Sequence, residues 1–405
     1  MKIAVIGGGA SGITAAISAS RKGAQVTVYE RCDRIGRKIL ATGNGRCNYT
    51  NINADIENYH GQNTDFIKPA TKKFWVSDTV SFFKKIGMLT KIEDNGKAFP
   101  YSLQASAVLD VLRFELQRLG VEIVTDFEVC QIKKEKNGFL IESYNGNKAY
   151  ADKVILSTGG KASPSLGSNG SGYDIAKKLG LQVSQLFPSL VQVKTSTEVV
   201  KALKGIKTDA VVTATSGGNS ETSQGEVLFC DYGLSGPAVF NVSRFCAVNK
   251  NTKIKLDLLP EIDYNNLREI LTNRKSENVS LENYFIGMLN KKIGIVLMKY
   301  AKILPLSRTS DTLNGSEISG LCKAIKSFTL DVTGTMSWNN AQVTAGGILT
   351  NQINPETFEC KHIKGLYITG ELLDIDGDCG GYNLQWAWSS GYIAGLCCAS
   401  EKINA

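Results

Sequence analysis

Two histidines in 405 residues leave little room for chemistry built on imidazole, and both, His60 and His362, lie in polar surroundings that predict solvated surface positions. No run of five or more like charges occurs. The formal charge of +8, from 46 Lys+Arg against 38 Asp+Glu, is therefore spread out, and no nucleic-acid-binding arm is expected. None of the ten cysteines stands in a C-x-x-C pair, which excludes the common metal and dithiol spacings and predicts reduced thiols in a cytosolic protein. Two uncharged stretches imitate exported or membrane segments. Ile3 to Ser20 is interrupted by Gly7, Gly8, Gly9 and Gly12, and Cys379 to Ser400 carries Asn383, Gln385, Ser389 and Ser390, which lipid would not tolerate well. Both are expected to be buried, so a cytoplasmic location and no membrane partner follow. What remains is ordinary globular composition, 42% hydrophobic and 21% charged, long enough for roughly two to three structural units.

The first thirty residues carry a strong local pattern. Lys2 to Ile6 reads as a buried strand and runs straight into Gly7-x-Gly9-x-x-Gly12, with Ala10 and Ser11 opening a small-residue helix to Lys22. A second strand, Gln25 to Tyr29, ends at Glu30. Gly7 permits the tight turn, Gly9 lets a pyrophosphate approach the backbone, and Gly12 lets helix and strand pack closely. The helix N-terminus offers N–H groups and a positive dipole to phosphate, and Glu30 is placed to accept from ribose hydroxyls.

That unit binds either NAD or FAD, and later segments choose between them. Val154 to Leu156 reads as a strand that runs through Ser157 into Thr158-Gly159-Gly160, and Leu366 to Thr369 as another that ends in Gly370-Glu371, whose carboxylate suits a ribityl hydroxyl. Gly380-Gly381-Tyr382-Asn383 then opens a long apolar helix whose N-terminal dipole suits the negative charge of a reduced flavin. Glycine clusters spread over the whole chain imply FAD laid across one discontinuous domain. No second G-x-G-x-x-G unit exists, so NAD(P)H is expected only as a transient visitor. Between the second strand and Asn51, Arg31, Gly36, Arg37, Lys38, Thr42, Gly43, Asn44, Gly45, Arg46, Cys47 and Asn48 combine cationic donors with open backbone, suited to pyrophosphate and the polar edge of an isoalloxazine. Cys47 is alone there, so no dithiol relay is expected.

Gly36 to Asn48 (GRKILATGNGRCN), Gly225 to Pro237 (GEVLFCDYGLSGP), Val343 to Ile348 (VTAGGI) and Gly365 to Gly395 resemble the YhiN/BaiN-like flavoproteins of the two-dinucleotide-binding-domain superfamily. Cys230-Asp231 and Cys360 depart from that pattern, where many members have Thr-His and Ser. The resemblance implies an α/β fold: a discontinuous Rossmann-like FAD domain (1–187 and 338–405) with an inserted β-barrel (188–259 and 327–337) that itself carries a helical insert (260–326) placed to cover the flavin. Within the FAD domain, Gln104 to Leu119 is amphipathic, and Phe127 to Tyr150 is hairpin-like with an Asn137-Gly138 turn. Val129, in that hairpin, is counted among the cofactor contacts. In the insert, Leu267, Ile270 and Leu271, then Tyr284, Phe285, Met288 and Leu289, stand at helical spacing.

The family further implies an FAD-dependent oxidoreductase with a small-molecule substrate. The leading expectation is NAD(P)H-dependent reduction of a C=C bond in an apolar compound of bile-acid or steroid-enone type. The alternatives are a small-amine oxidase of aminoacetone type that uses oxygen, and a non-catalytic FAD-binding RNA or protein partner. No catalytic residue is assigned; Tyr382, Tyr232 or a carboxylate near the flavin would move a proton if one is needed. The vicinal Cys397-Cys398 is expected to be packing.

Overall fold

The computed structural model describes residues 1–400, and the last five residues of the second expected FAD segment lie outside the described residues. The chain forms two compact units, Met1–Pro188 together with the chain from Ala341 onward, and Ser189–Asn340. The first is a Rossmann-type α/β unit, and the second, inserted into it, is a closed barrel with its own helical insert.

The first unit is built on five parallel strands: β1 (Lys2–Ile6), β2 (Gln25–Tyr29), β3 (Glu122–Val124), β4 (Lys153–Leu156) and β5 (Leu366–Ile368), in the order β5-β4-β1-β2-β3. The central strands are runs of Ile, Val, Ala and Leu because the sheet is buried on both faces. Helix α1 (Ala10–Arg21) links β1 to β2, α2 (Arg37–Ala41) follows β2, and α3 (Ala105–Arg118) precedes β3. Glu115, buried on α3, ties α3 to α1 by accepting from Arg21 at 2.6 Å and from Arg118 at 2.7 Å, and these cations hold its carboxyl below the usual range.

Helix α4 (Tyr382–Ser400) is the uncharged C-terminal stretch. It lies directly on α1, where Gly391 and Gly395 have no Cβ because Ser11, Ala15 and Ser18 occupy that space. Its C-terminal end is satisfied by the buried Lys153, whose Nζ donates to the Cys398 carbonyl at 2.8 Å. Among the described residues no helix is long and apolar enough to cross a membrane. The hairpin expected over 127–150 is a three-stranded antiparallel sheet, Val129–Glu135, Gly138–Ser143 and Lys148–Ala151.

In the second unit six strands close a barrel in the order Val193–Thr195, Gly233–Ser235, Asn219–Cys230, Lys207–Ser216, Lys253–Asp257 and Phe328–Thr335. Period-two alternation places Ala210, Val212 and Ala214 inside. Helix Pro237–Val248 contributes Val239, Val242 and Cys246 to the same core. Three helices, Tyr264–Asn273, Lys291–Tyr300 and Gly315–Lys326, lie between the last two strands in sequence. One sequence expectation fails locally. Tyr284 to Leu289 is not a helix but a run of turns around Gly287 (φ +87°), and the helix restarts only at Lys291, capped by the Asn290 side chain. Tyr284 and Phe285 are nonetheless core residues, because burying the rings needs the spacing but not the helix.

A candidate flavin-dinucleotide cradle

In an open parallel sheet, ligands bind beyond the carboxyl ends of the strands where the strand order reverses, here between β1 and β4. The three glycines after β1 play different parts. Gly7 (φ +104°) has no room for a Cβ because one would stand 2.6 Å from the Ser157 carbonyl oxygen, and a Cβ on Gly12 would overlap the Gly7 carbonyl. Gly9 faces open space, with nothing within 4 Å of an added Cβ. The α1 N-terminus therefore opens onto a cradle that a side chain would fill.

Glu30, at the end of β2, is buried, and both its oxygens accept backbone donors: Oε2 from Gly8 N–H at 2.8 Å and Oε1 from Cys32 N–H at 2.9 Å. Each oxygen retains a lone pair for a hydroxyl. Phe127 N–H donates to the Glu30 carbonyl at 2.9 Å, which puts Val129, two residues on and buried, at this same end of the unit.

The expected cations fasten loops to one another. Arg37 donates to Ser165 O at 3.2 Å, and Arg31 pairs with Glu128 at 3.2 Å. Lys38 Nζ meets Glu371 Oε2 at 2.8 Å. Arg46 pairs with Glu93 and lies over the Phe99 ring, 4.2 Å from its centroid. Gly36 (φ +75°) donates its N–H to Gly8 O at 2.8 Å, holding α2 to the phosphate turn. Thr42 caps the end of α2 through its hydroxyl, on Ile39 O at 2.6 Å.

The backbone then runs through left-handed conformations at Gly43, Asn44, Gly45 and Cys47, a concave shape of the kind that directs N–H groups toward an anion. Cys47 is fully buried, and burial pushes its thiol up to about 12, so it is neutral and no thiolate chemistry resides there. The ten cysteines are thiols, not disulfides, and Cys398 is packed in the core.

This loop meets the entrance of α4. A Cβ on Gly381 (φ +99°) would stand 2.7 Å from Thr50 O and 3.0 Å from Asn48 Oδ1, and Asn51 Nδ2 donates to Gly380 O at 3.1 Å. Among the described residues, the buried polar atoms in these segments that have no hydrogen-bond partner include Arg46 Nε, Asn48 Oδ1 and Thr158 Oγ1. A buried polar atom of this kind is costly unless something pairs with it. Together with the open space at Gly9, these orphans fit a bound dinucleotide. Asn383, in contrast, is occupied: its amide bridges Gly377 in both directions, at 2.8 and 2.7 Å, and so shapes the turn. Tyr382 is half-buried, its phenol pushed up by burial, and Tyr59 OH donates to its carbonyl at 3.0 Å.

Four partnerships were not assigned from sequence. Thr344, within VTAGGI, accepts from Lys161 and Ala162 N–H groups through its hydroxyl and donates its own N–H to Glu371 Oε1 at 2.8 Å. It fills the space left by Gly160, where a Cβ would overlap its Oγ1. Gly159 (φ +72°) similarly leaves room for Ser168. Gly370 (φ +68°) sits against Ser11, where a Cβ would stand 2.7 Å from its Oγ. The last refines an expectation: His60 is partly exposed but is not merely solvated, because its Nε2 is 2.8 Å from Asp378 Oδ1. His362 is exposed as expected, and Tyr232 belongs to the barrel unit.

A parallel sheet whose glycine turns, buried acid at the end of β2 and helix N-termini converge at one crevice defines a dinucleotide-binding flavoprotein, an FAD-dependent oxidoreductase. Residues 1–397 match the family described as HI0933-like protein Rossmann domain, and the chain belongs to that family. It is 40% identical to the 3-dehydro-bile acid delta(4,6)-reductase of Clostridium scindens over 99% of both chains. It is 32% identical to the ribosomal RNA dihydrouridine synthase of Escherichia coli, over 99% of this chain and 98% of that one. Among solved structures, a 3-ketosteroid-delta4-(5alpha)-dehydrogenase from Rhodococcus jostii aligns with a TM-score of 0.48 and 15% identity, covering 98% of this chain and 96% of that one.

Proposed function

We propose that the protein reduces a carbon–carbon double bond conjugated to a carbonyl in an apolar small molecule of bile-acid or steroid-enone type, with electrons taken from NAD(P)H. The end-to-end 40% identity to a bile-acid reductase is the observation that carries this reading. FAD, when bound, supplies hydride transfer. The chain's own residues do the rest. The N–H groups at Gly9, Ala10 and Ser11 bind the pyrophosphate, Glu30 accepts from the adenosine ribose, and Glu371, held by Lys38 and Thr344, orients the ribityl chain. The loop 43–48 and the N–H groups opening α4 are fixed donors for negative charge on the pyrimidine edge, in place before any charge arrives. Tyr382, kept protonated by its raised pKa, holds a proton at that entrance.

A second reading has its own support in the relatives named ribosomal RNA dihydrouridine synthase. The C5=C6 bond of uracil is also conjugated to a carbonyl, so the same hydride chemistry would serve an RNA substrate. The test is anaerobic bleaching of the yellow protein by NADH or NADPH, followed by separate addition of a steroid enone, uridine-containing RNA, or air with a small amine. Rapid recolouring by the enone alone is the expected result. Recolouring by RNA alone establishes the second reading, and turnover only with amine and oxygen overturns both.

A further inference from the structure

His60 and Asp378 form a hydrogen-bonded pair at the entrance of α4 that the mechanism above does not use. The two residues are 318 positions apart in the chain and are joined because the short strand Tyr59–His60 pairs antiparallel with Asp376–Gly377. Asp378 is held firmly: Oδ1 meets His60 Nε2 at 2.8 Å, Oδ2 accepts from Asn58 Nδ2 at 3.3 Å, and its N–H donates to Asn58 O at 2.9 Å. Asn383, in the first turn of α4, donates to the Asp378 carbonyl at 3.3 Å. Gly381 is three positions after Asp378, so their Cα atoms are at most about 11 Å apart. That is a little more than the Debye length of about 8 Å at physiological salt, but the ground between them is partly buried, where screening is weaker, so a charge at one is felt at the other.

We infer that the His60–Asp378 pair is a proton-uptake device for the cradle: negative charge gained at the α4 entrance on flavin reduction raises the proton affinity of His60, and one proton moves from solvent onto its imidazole. This rests on the FAD reading given above. The electrons come from NAD(P)H, or from dithionite in the test. With His60 neutral, Asp378 leaves a net negative charge beside the donors that must hold the flavin's charge. With His60 protonated, the pair is neutral and that repulsion is removed.

The other groups around the pair are placed for modulation. Asp376 lies across the two-strand ladder from His60, and Asp374 Oδ2 accepts from Gln62 N–H at 3.4 Å. Tyr59 and Tyr382 flank the turn with phenols pushed up by burial, hence neutral. Cys379 is likewise pushed up by burial, with Lys97 as the nearby cation, and Glu57 is exposed on the preceding turn. The set is predominantly acidic, which favours protonation of His60.

The scarcity of histidine makes the test direct. In FAD-loaded protein labelled at histidine, only His60 and His362 give imidazole signals, and His60→Gln assigns them. His60 is titrated by NMR in the oxidised and the dithionite-reduced protein. The expected result is a midpoint at least about half a pH unit higher in the reduced state, an increase of roughly threefold in proton affinity, with exposed His362 unmoved as the control. In parallel the flavin reduction potential should depend more steeply on pH in wild type than in His60→Gln. Flavin that is bound and reduced while the His60 midpoint stays unchanged overturns the proposal alone. Protein that retains no flavin overturns the FAD reading and the proposal with it.

Discussion

The three glycines of one motif face three different environments, so substitution separates folding from binding. Gly7 and Gly12 face backbone, and side chains there damage the fold. Gly9 has φ of −84°, which any residue adopts, and open space before it. Gly9→Val is therefore expected to leave the melting temperature of flavin-free protein within a few degrees of wild type while abolishing FAD retention, checked by thermal melting beside absorbance near the flavin bands. A mutant that stays fully yellow would show the loop to be only a turn. At Glu30 the two roles cannot be separated so cleanly, because its carboxylate also satisfies Gly8 and Cys32. Glu30→Ala should weaken FAD by about 1.5–3 kcal/mol, the cost of a hydrogen bond to a charged group, and should also lower the melting temperature of the flavin-free protein. Flavin titration that finds unchanged affinity would move the acid out of the site. The glycine motif and Glu30 are legible in the sequence because each acts within thirty residues of the other. The pairing of Lys38 with Glu371 spans 333 positions and that of His60 with Asp378 spans 318, and no local pattern encodes a partner that only the sheet order brings near.

At the scale of elements, the helices that form the crevice are positioned by what they lack. Helix α4 carries no charge, ten of its nineteen residues are buried, and α1 approaches it through Ser11, Ala15 and Ser18 against Gly391 and Gly395. Gly12 keeps α1 close to the β1 turn, while Ser11, Ala15 and Ser18 keep α4 close to α1, so both N-termini reach one crevice. Gly391→Leu is expected to force the helices apart and cost about 1–3 kcal/mol or more, read from the urea midpoint, with loss of FAD as the α4 entrance shifts. Gly320 is also helical but has nothing within 4 Å, so Gly320→Ala should be neutral or stabilise by up to about 1 kcal/mol. Stabilisation by both changes would mean that helix propensity, not packing, governs Gly391. Strands were legible wherever the run was apolar and ended in glycine, as at Lys153–Leu156, and α3 was legible from its amphipathic period. The stretch Tyr284 to Leu289 was not. A buried Tyr-Phe pair and a Met-Leu pair four residues later satisfy helical spacing, yet Gly287 interrupts them with a left-handed turn, and periodicity alone does not register where a chain bends while keeping its rings in the core.

For the whole molecule, the separate cores of the two units carry a consequence of their own. One core is drawn from the parallel sheet and its helices, the other from the barrel and its helical insert, and every residue of the dinucleotide cradle belongs to the first. The chain leaves that unit at strand Phe187–Ser189 and re-enters beside it, because Phe187–Ser189 pairs with Val343–Ala345. Paired strands lie about 4.7–4.9 Å apart, a gap that a few flexible residues span with little entropic cost. Replacing residues 189–340 with a short Gly/Ser linker is therefore expected to give a protein that folds cooperatively and still binds FAD within about tenfold of the wild-type affinity, a difference of about 1.4 kcal/mol. Circular dichroism and flavin titration check the two parts of that statement separately. A linker variant with native-like helix content that takes up no flavin would show that the cradle is incomplete within its own unit. An unfolded variant would show instead that the Rossmann core depends on the insert, so that discontinuity in the chain is also dependence in the fold.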